Sequence, residues 1–264
     1  MPRPAFALSE AQIDSFIHDG YVRIDGAFAR DVADACRAIL WRATGCSPDD
    51  PTTWTRAVVR IGELSLPPFL QATNTAVLHA AFDALVGVER WLPRGGLGTF
   101  PIRFPSDEDP GDCGWHVDAS FGSDASDFLD WRLNVASKGR ALLMLFLFSD
   151  AGEDDAPTRL RVGSHLTIAR RLAPHGERGL ALRDLASTGF EESAHLPEAL
   201  ATGPAGTVYL CHPFLVHAGQ PLRSNRHQPR FLAQPPLLPR GELDPTRADE
   251  TACPVERAIR LALE

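Results

Sequence analysis

A histidine and an aspartate stand two residues apart in the segment Trp115-His116-Val117-Asp118. On a β-strand, residues two apart point to the same side, so the imidazole of His116 and the carboxylate of Asp118 can converge on one point. A second histidine, His217, lies far downstream, after an apolar stretch and a turn that contains a proline. Two histidines and one carboxylate are the ligand set of non-haem Fe(II) sites, which keep coordination positions open for oxygen activation.

Each of these residues also has an ordinary structural explanation. The chain has nine histidines, so one His-x-Asp pair is expected by chance and is commonly a surface turn. A lone histidine such as His217 is often a hydrogen-bonded core residue. The same three ligands also suit zinc, which makes a metal-dependent hydrolase an alternative. A non-catalytic binding protein that retains the fold is a further alternative.

Several residues are candidates for binding a cosubstrate or a substrate. Arg230 follows a proline and opens an apolar stretch, where its guanidinium could clamp a carboxylate through two parallel hydrogen bonds. A surface salt bridge is the more ordinary role, and Arg226 is the alternative arginine. Thr99 and Arg103 share one face of a predicted strand and could reach a cosubstrate or an acidic substrate. Asn134 follows the candidate metal-binding segment and could line the substrate pocket.

The sequence predicts mainly helices in its first third and mainly short strands afterwards, and these elements must position the candidate residues. A capping box at Ser9 and Gln12 predicts a first helix that ends at Gly20, and apolar residues at helical spacing predict helices at 30–43 and 74–86. After the two adjacent glycines at 95–96, short segments between Gly, Pro and Asp turns predict strands at 97–104, 115–121, 129–136, 140–149, 158–162, 206–211 and 229–235. The run 141–148 is apolar on both faces and predicts a central buried strand. This order favours an α+β fold with a β-sandwich or barrel core.

Composition and charge narrow the classes of partner. The chain of 264 residues is 44% hydrophobic and carries a net charge of −8, which disfavours nucleic acid and anionic membranes as partners. The longest apolar run is far shorter than a membrane span. The five cysteines form no C-x-x-C pair, and no secretory signal follows Met1–Pro4. We therefore expect a cytoplasmic protein that acts on a small molecule.

Taken together and in order, the motifs resemble those of the phytanoyl-CoA dioxygenase (PhyH) family of Fe(II)/2-oxoglutarate oxygenases. The resemblance extends over nearly the whole chain. It is carried by Leu8-Ser-Glu…Phe16-Ile-His-Asp-Gly-Tyr21, Gly114-Trp-His-Val-Asp118, Arg161-Val-Gly-Ser-His165 and His212-Pro…His217…Pro229-Arg230.

The resemblance implies a double-stranded β-helix, that is, a cupin-like jelly-roll core with N-terminal helices packed on one sheet. It implies one domain over 1–264, with a mainly helical part at 1–95, the jelly roll at 96–240 and a C-terminal tail or helix at 241–264. His116, Asp118 and His217 match the family's metal ligands, and Arg230 matches the arginine that binds the far carboxylate of 2-oxoglutarate. The gap between His217 and Arg230 is longer than is usual in the family, which keeps Arg226 as the alternative.

The function implied by the resemblance is an oxidation. Fe(II) would be the cofactor and 2-oxoglutarate and O2 the cosubstrates, with 2-oxoglutarate decarboxylated to succinate and CO2 while an unactivated C–H bond of a small-molecule metabolite is hydroxylated. Halogenating relatives carry a small residue where Asp118 stands, so halogenation is disfavoured. The sequence leaves the substrate's identity and the oligomeric state open.

Overall fold

A computed structural model describes residues 7–248 and 250–264. The segment Met1–Pro4, on which the expected absence of a secretory signal depends, lies outside the described residues. The helices are α1 (Glu10–Asp19), α2 (Arg30–Thr44), α3 (Pro67–Thr73), α4 (Ala76–Val86), α5 (Ser164–Leu172), α6 (Leu182–Ala186) and α7 (Pro254–Leu263). The strands are β1 (Tyr21–Ile24), β2 (Val58–Ile61), β3 (Phe100–Arg103), β4 (Arg132–Leu133), β5 (Leu142–Leu147), β6 (Arg159–Arg161), β7 (Leu180–Ala181), β8 (Glu198–Leu200), β9 (Val208–Cys211), β10 (His217–Ala218), β11 (Leu232–Ala233) and β12 (Pro236–Leu237). In the part of the chain that the structure describes, no helix has both the length and the hydropathy of a membrane span.

The largest sheet is antiparallel and has β5 in its interior. Its order is β1-β9-β5-β11, and β12 pairs with β5 next to β11. Side chains of β5 alternate between two apolar clusters, with Met144 and Phe146 in one and Leu143 and Leu145 in the other. The prediction of a central strand buried on both faces is therefore confirmed, because neither face of β5 reaches solvent.

The N-terminal helices cover one face of this sheet. Phe16 of α1, Leu40 of α2 and Leu78 of α4 are fully buried in the same apolar cluster as Met144. The predicted capping box of α1 is present, and Gly20 ends the helix with a positive φ of 89°. The three predicted helices are confirmed as α1, α2 and α4.

Two N-terminal elements were not expected from the sequence. The helix α3 begins with two prolines, which are well tolerated in the first turn of a helix. The strand β2 pairs antiparallel with β3, with Val58 opposite Arg103. The segment of β2 is too short to show a convincing period by itself, so its pairing partner decides its conformation.

The expected strand at 115–121 is wrong as a continuous element. The segment makes isolated bridges at its two ends, from His116 to His217 and from Phe121 to Arg132. Residues between the bridges turn away because the two ends pair with different strands. The expected strand at 129–136 is likewise reduced to a 3-10 turn (Phe128–Asp130) and the short β4.

A smaller antiparallel sheet, in the order β10-β6-β8, carries one of the candidate ligands. His217 opens β10 and lies opposite Leu160 of β6. The isolated bridge to His116 lies on the other side of His217, so this sheet brings together two segments that are far apart in sequence.

The C-terminal helix α7 packs against α1, α4 and α5 and is held by the buried carboxylate of Glu256. This carboxylate pairs with Arg90 and Arg247 and accepts hydrogen bonds from the backbone N–H groups of Asp244 and Cys253. Burial raises the pKa of Glu256, but Arg90 and the backbone donors outweigh it and hold that pKa at about 2. The carboxylate is therefore ionised throughout the neutral range.

We expect Glu256→Gln to lower the free energy of unfolding by about 3 kcal/mol, because it leaves Arg90 and Arg247 without their counter-charge. Urea denaturation at neutral pH measures the change. Glu264→Gln is the matched control, since Glu264 is exposed and its replacement should cost less than about 0.5 kcal/mol. Equal effects of the two variants would contradict the prediction.

Candidate metal centre

The two candidate histidines lie directly opposite each other. The backbone N–H of His116 donates to the carbonyl of His217 at 2.9 Å, and the N–H of His217 donates back to His116 at 2.9 Å. The ring centroids are 4.2 Å apart. This single antiparallel bridge places the two imidazoles side by side, on the same side of the paired backbone segments.

The backbone also sets which ring nitrogen is free. Nδ1 of His116 lies 2.9 Å from the carbonyl of Gly114, and Nδ1 of His217 lies 3.0 Å from the carbonyl of Leu215. A carbonyl oxygen only accepts, so each Nδ1 must carry the proton and each Nε2 presents a lone pair. Metal-binding histidines are oriented in this way, with the second nitrogen donating to a fixed acceptor.

The carboxylate of Asp118 completes the group. Its Oδ1 lies 4.0 Å from Nε2 of His116 and 3.9 Å from Nε2 of His217. These distances are too long for hydrogen bonds, but they suit donor atoms that each bond one shared ion at about 2 Å. Among the described residues, His116, Asp118 and His217 form the group whose possible ligand atoms all lie within 4.8 Å of one another, close enough to share one metal ion.

The protonation states fit a metal ion. Burial lowers the pKa of His217 to about 4, helped by His116 and opposed by Asp118, so this imidazole is neutral at pH 7. Its Nε2 is buried and has no hydrogen-bond partner among the described residues. A buried acceptor without a partner is costly, and a bound cation removes that cost. The donor set therefore fits a divalent metal.

Arg140 contacts Asp118, the third candidate ligand, and the sequence analysis did not identify it. Its Nη1 donates to Oδ2 of Asp118 at 2.9 Å. Burial raises the pKa of Asp118, but the charge of Arg140 leads the opposing influences, and the pKa stays below its ordinary value. Asp118 is thus a carboxylate at neutral pH. Arg140 ends the segment Ser-Lys-Gly-Arg, whose composition is typical of a solvated surface turn. The local sequence therefore gives no indication that this arginine contacts a buried site.

A cavity of about 140 Å³ adjoins His116 and is lined by three arginines, the exposed Arg60 and the buried Arg103 and Arg230. Arg103 and Arg230 face each other across a second antiparallel bridge, with N–H···O distances of 3.0 and 2.9 Å. Both side chains are buried, at 3% and 2% exposure, and Thr99 also lines the cavity. The structure thus brings together four of the residues that the sequence pointed to: His116, Thr99, Arg103 and Arg230.

The cavity has more positive than negative charge. Arg103 donates to Asp112 at 2.7 Å, whereas Arg230 donates to the carbonyls of Ala156 and Pro101 at 2.6 and 3.3 Å. Nε of both arginines and Nη1 of Arg103 are buried without a partner among the described residues. Burial lowers the pKa of Arg230 to about 9, with further lowering by Arg103, and the group remains charged at pH 7. Three guanidinium groups, two of them buried, share the single carboxylate of Asp112, which leaves donors free for an acidic ligand.

Gly219 makes room for this arrangement. A Cβ at this position would lie 2.3 Å from Nη2 of Arg103. A side chain here would force the guanidinium of Arg103 to shift from its present position. Gly219 follows β10 by one residue, so the strand that carries His217 also shapes the arginine pocket.

Two other candidates lie elsewhere. Arg226 is partly exposed and pairs with Asp155 at 2.6 Å, away from the residues that line the arginine cavity. Asn134 is buried, but its amide is bonded to backbone groups, accepting from Lys138 N–H at 2.9 Å and donating to the carbonyl of Glu177 at 3.1 Å. Asn134 therefore braces the turn that leads to Arg140. Its amide does not line the cavity among the described residues.

The cavity also contains residues that the sequence analysis did not identify. Asp112 bridges Arg103 and the exposed Arg60, at 2.7 and 2.6 Å, and Thr158 and Gln234 line the wall. Asp112 lies in an acidic, glycine-containing loop, where a carboxylate is ordinarily solvated. No motif or spacing in the sequence distinguishes Asp112 from the other acidic residues of this loop.

Two buried histidines hold the turn that delivers His217. Nδ1 of His212 accepts from the N–H of Phe214 at 3.2 Å, and His165 packs against His212 with ring centroids 4.8 Å apart. Nε2 of His165 lies 3.0 Å from the carbonyl of Ile17 and donates to it. Burial lowers the pKa of His165 to about 4 and that of His212 well below its ordinary value. Both rings are neutral at pH 7.

This burial predicts a loss of stability in acid. Unfolding restores an ordinary histidine pKa of about 6.5, so the unfolded state binds more protons and stability falls as the pH drops from about 6.5 towards 4. His165→Gln should reduce the slope of unfolding free energy against pH by about 1.4 kcal/mol per pH unit, the value for one proton. Urea denaturation over this range tests it, with the exposed His195→Gln as control. An unchanged slope in His165→Gln would refute the assignment.

Comparisons with known proteins identify the fold. The sequence matches no family model, and a search of curated proteins finds no match. Among solved structures, HygX from Streptomyces hygroscopicus, with nickel and 2-oxoglutarate bound, is similar with a TM-score of 0.55 at 20% identity, over 86% of this chain and 86% of its own.

Two further structures show the same likeness. SnoN, a non-haem α-ketoglutarate-dependent epimerase of nogalamycin biosynthesis, has a TM-score of 0.51 at 14% identity, over 85% of this chain and 80% of its own. EctD from S. alaskensis, in its apo form, has a TM-score of 0.52 at 19% identity, over 89% of this chain and 78% of its own. The chain thus has a mixed helix and antiparallel-sheet fold shared with 2-oxoglutarate-dependent (α-ketoglutarate-dependent) enzymes.

Proposed function

We propose that this protein is an Fe(II)- and 2-oxoglutarate-dependent oxygenase that hydroxylates an unactivated C–H bond of a small-molecule metabolite. The observation that carries the proposal is the adjacency of two sites. The His116, Asp118 and His217 group stands beside a cavity that is lined by the buried Arg103 and Arg230. A metal-dependent hydrolase would need the first site but not the second.

The three ligand side chains would hold Fe(II) through two Nε2 atoms and one carboxylate oxygen. This set uses three coordination positions and leaves the others free. Bound iron, with 2-oxoglutarate and O2, supplies the oxidant for C–H cleavage while 2-oxoglutarate is converted to succinate and CO2. The occupied carboxylate position at Asp118 favours hydroxylation over halogenation.

The arginine cavity would hold the cosubstrate. Arg230 and Arg103 offer free donors to the far carboxylate of 2-oxoglutarate, and Thr99 lies at the same wall. The volume of about 140 Å³ is below the range of about 300–1,000 Å³ that drug-sized ligands need. It suits a short dicarboxylic acid, whereas a larger substrate would approach His116 from its exposed side, where 43% of the side chain is accessible.

We also infer the finer assignment suggested by the sequence motifs: a jelly-roll core of the phytanoyl-CoA dioxygenase type, in a single cytoplasmic domain. The two larger antiparallel sheets, of five and three strands, are consistent with that core. Ser164 belongs to the segment Arg161-Val-Gly-Ser-His165 that resembles the family's motif. Its hydroxyl accepts a hydrogen bond from the N–H of Val216 at 2.9 Å and so holds the backbone next to His217. The likeness to HygX and SnoN is consistent with a small-molecule substrate.

Anaerobic addition of Fe(II) and then 2-oxoglutarate tests the proposal. We expect a visible metal-to-ligand charge-transfer band, and Asp118→Ala should weaken it by removing a ligand. Arg230→Ala should raise the 2-oxoglutarate concentration needed for half-saturation by about 10- to 100-fold, since it removes charge-assisted hydrogen bonds worth about 1.5–3 kcal/mol.

Arg226→Ala is the matched control, because Arg226 pairs with Asp155 outside the cavity and should leave the titration unchanged. Absence of the band in folded wild-type protein would reject the cosubstrate assignment. Equal half-saturation in Arg230→Ala and wild type would reject the role of Arg230.

A further inference from the structure

Arg140 is placed to control how Asp118 presents its carboxylate. Its side chain is only 11% exposed, and its guanidinium makes two contacts with the same segment. Nη1 donates to Oδ2 of Asp118 at 2.9 Å, and Nη2 donates to the carbonyl of Ala119 at 3.2 Å. One rigid group thus holds both the carboxylate and the backbone that follows it.

The backbone hydrogen bonds nearest to Asp118 lie two residues away on either side, at His116 and at Ser120, whose N–H donates to the carbonyl of Arg132 at 2.9 Å. Asp118 lies between the isolated bridges at His116 and Phe121 and belongs to no regular strand. By contrast, Arg140 is carried by a braced turn, in which Ser137 donates to the carbonyl of Arg140 at 2.7 Å. Gly139, with φ of 82°, lets this turn close on the metal-binding segment, since a Cβ there would lie 2.4 Å from the carbonyl oxygen of Ser120. The orientation of the carboxylate therefore depends on the arginine.

The contact has a consequence for coordination. Oδ2 of Asp118 is engaged by Arg140, whereas Oδ1 faces the Nε2 atoms of His116 and His217. A carboxylate that bound through both oxygens would take one more position on an octahedral ion. With two imidazoles and a chelating 2-oxoacid, none would then remain for O2.

We propose that Arg140 is a positioning residue that restricts Asp118 to one coordinating oxygen and thereby sets both the affinity of the site for a divalent metal and its free coordination position. The inference rests on the proposed function for the identity of the metal site. It concerns a residue that contacts no reacting atom and acts through Asp118.

Cobalt(II) binding tests the proposal without cosubstrate or oxygen, because the visible bands of Co(II) respond to the number and type of its ligands. We expect Arg140→Met to weaken Co(II) binding by about 10- to 100-fold, as is usual when the partner of a metal ligand is lost, and to change the visible spectrum. Arg140→Lys keeps the positive charge but not the planar pair of guanidinium donors. We therefore expect its Co(II) affinity to lie between those of Arg140→Met and wild type.

Arg132→Met is the matched control. Arg132 lies in the same region and donates to the carbonyls of Arg178 and Gly179, both at 2.8 Å, and not to the carboxylate. Its loss should leave the Co(II) affinity and spectrum unchanged. Circular dichroism and thermal unfolding identify any variant that fails to fold.

Chemical rescue separates positioning from folding. Asp118→Gly removes the carboxylate and leaves Arg140 facing the vacated place, so added formate should restore Co(II) affinity and the wild-type-like spectrum. The double variant Asp118→Gly/Arg140→Met lacks the guanidinium that would orient formate toward the metal, so formate should restore much less of its Co(II) affinity.

Two results would overturn the positioning role: wild-type affinity and spectrum in folded Arg140→Met, or equal formate rescue with and without Arg140. If wild-type protein binds no Co(II), the metal site fails and the proposed function fails with it. If wild-type protein binds Co(II) but shows no charge-transfer band with Fe(II) and 2-oxoglutarate, the cosubstrate assignment fails while the positioning role of Arg140 stands on the Co(II) results.

Discussion

The site depends on one backbone interaction, the antiparallel bridge between His116 and His217. Its two hydrogen bonds, each 2.9 Å, bring together residues about 100 positions apart and set both rings on the same side. Each ring then donates from Nδ1 to a carbonyl two residues earlier in its own chain segment. Since a carbonyl cannot donate, the tautomer follows from the backbone alone. The main-chain geometry thus arranges the two Nε2 atoms that would bind a metal under the proposed function.

The neighbouring cavity repeats this construction with arginines. Arg103 and Arg230 also face each other across a single bridge, and both are buried. Buried guanidinium nitrogens without partners are unfavourable for the folded state. Proteins retain such groups at functional sites, and an acidic ligand, as the proposed function requires, would supply the missing acceptors. Asp112 offsets one of the two charges and links the cavity to the loop that carries it.

The rest of the fold supplies the rigidity that these bridges need. β5 is buried on both faces, and the helices pack on one of them. His212 and Ser164 fix the turn before His217, while α7 is held across the helices by the ionised Glu256. The segment around Asp118 stands outside this framework, because it pairs at its ends and not along its length. A side-chain contact from Arg140 takes the place of the missing strand hydrogen bonds there.

The sequence by itself determined the helix α1 with its capping box and the doubly buried β5, and it singled out the two histidines and one aspartate that the fold brings together. Helix capping and hydrophobic periodicity are properties of short sequence segments. The residue types and spacing of candidate metal ligands can also be recognised in the sequence. Only the tertiary structure decided that 115–121 is not a strand, that Arg230 and not Arg226 faces the cavity, and that Asn134 braces a turn. The roles of Arg140 and Asp112 also come from the tertiary structure alone. All of these outcomes depend on which distant loops meet in the fold. The local sequence around a loop arginine or aspartate does not show whether its side chain is solvated or paired with a buried partner.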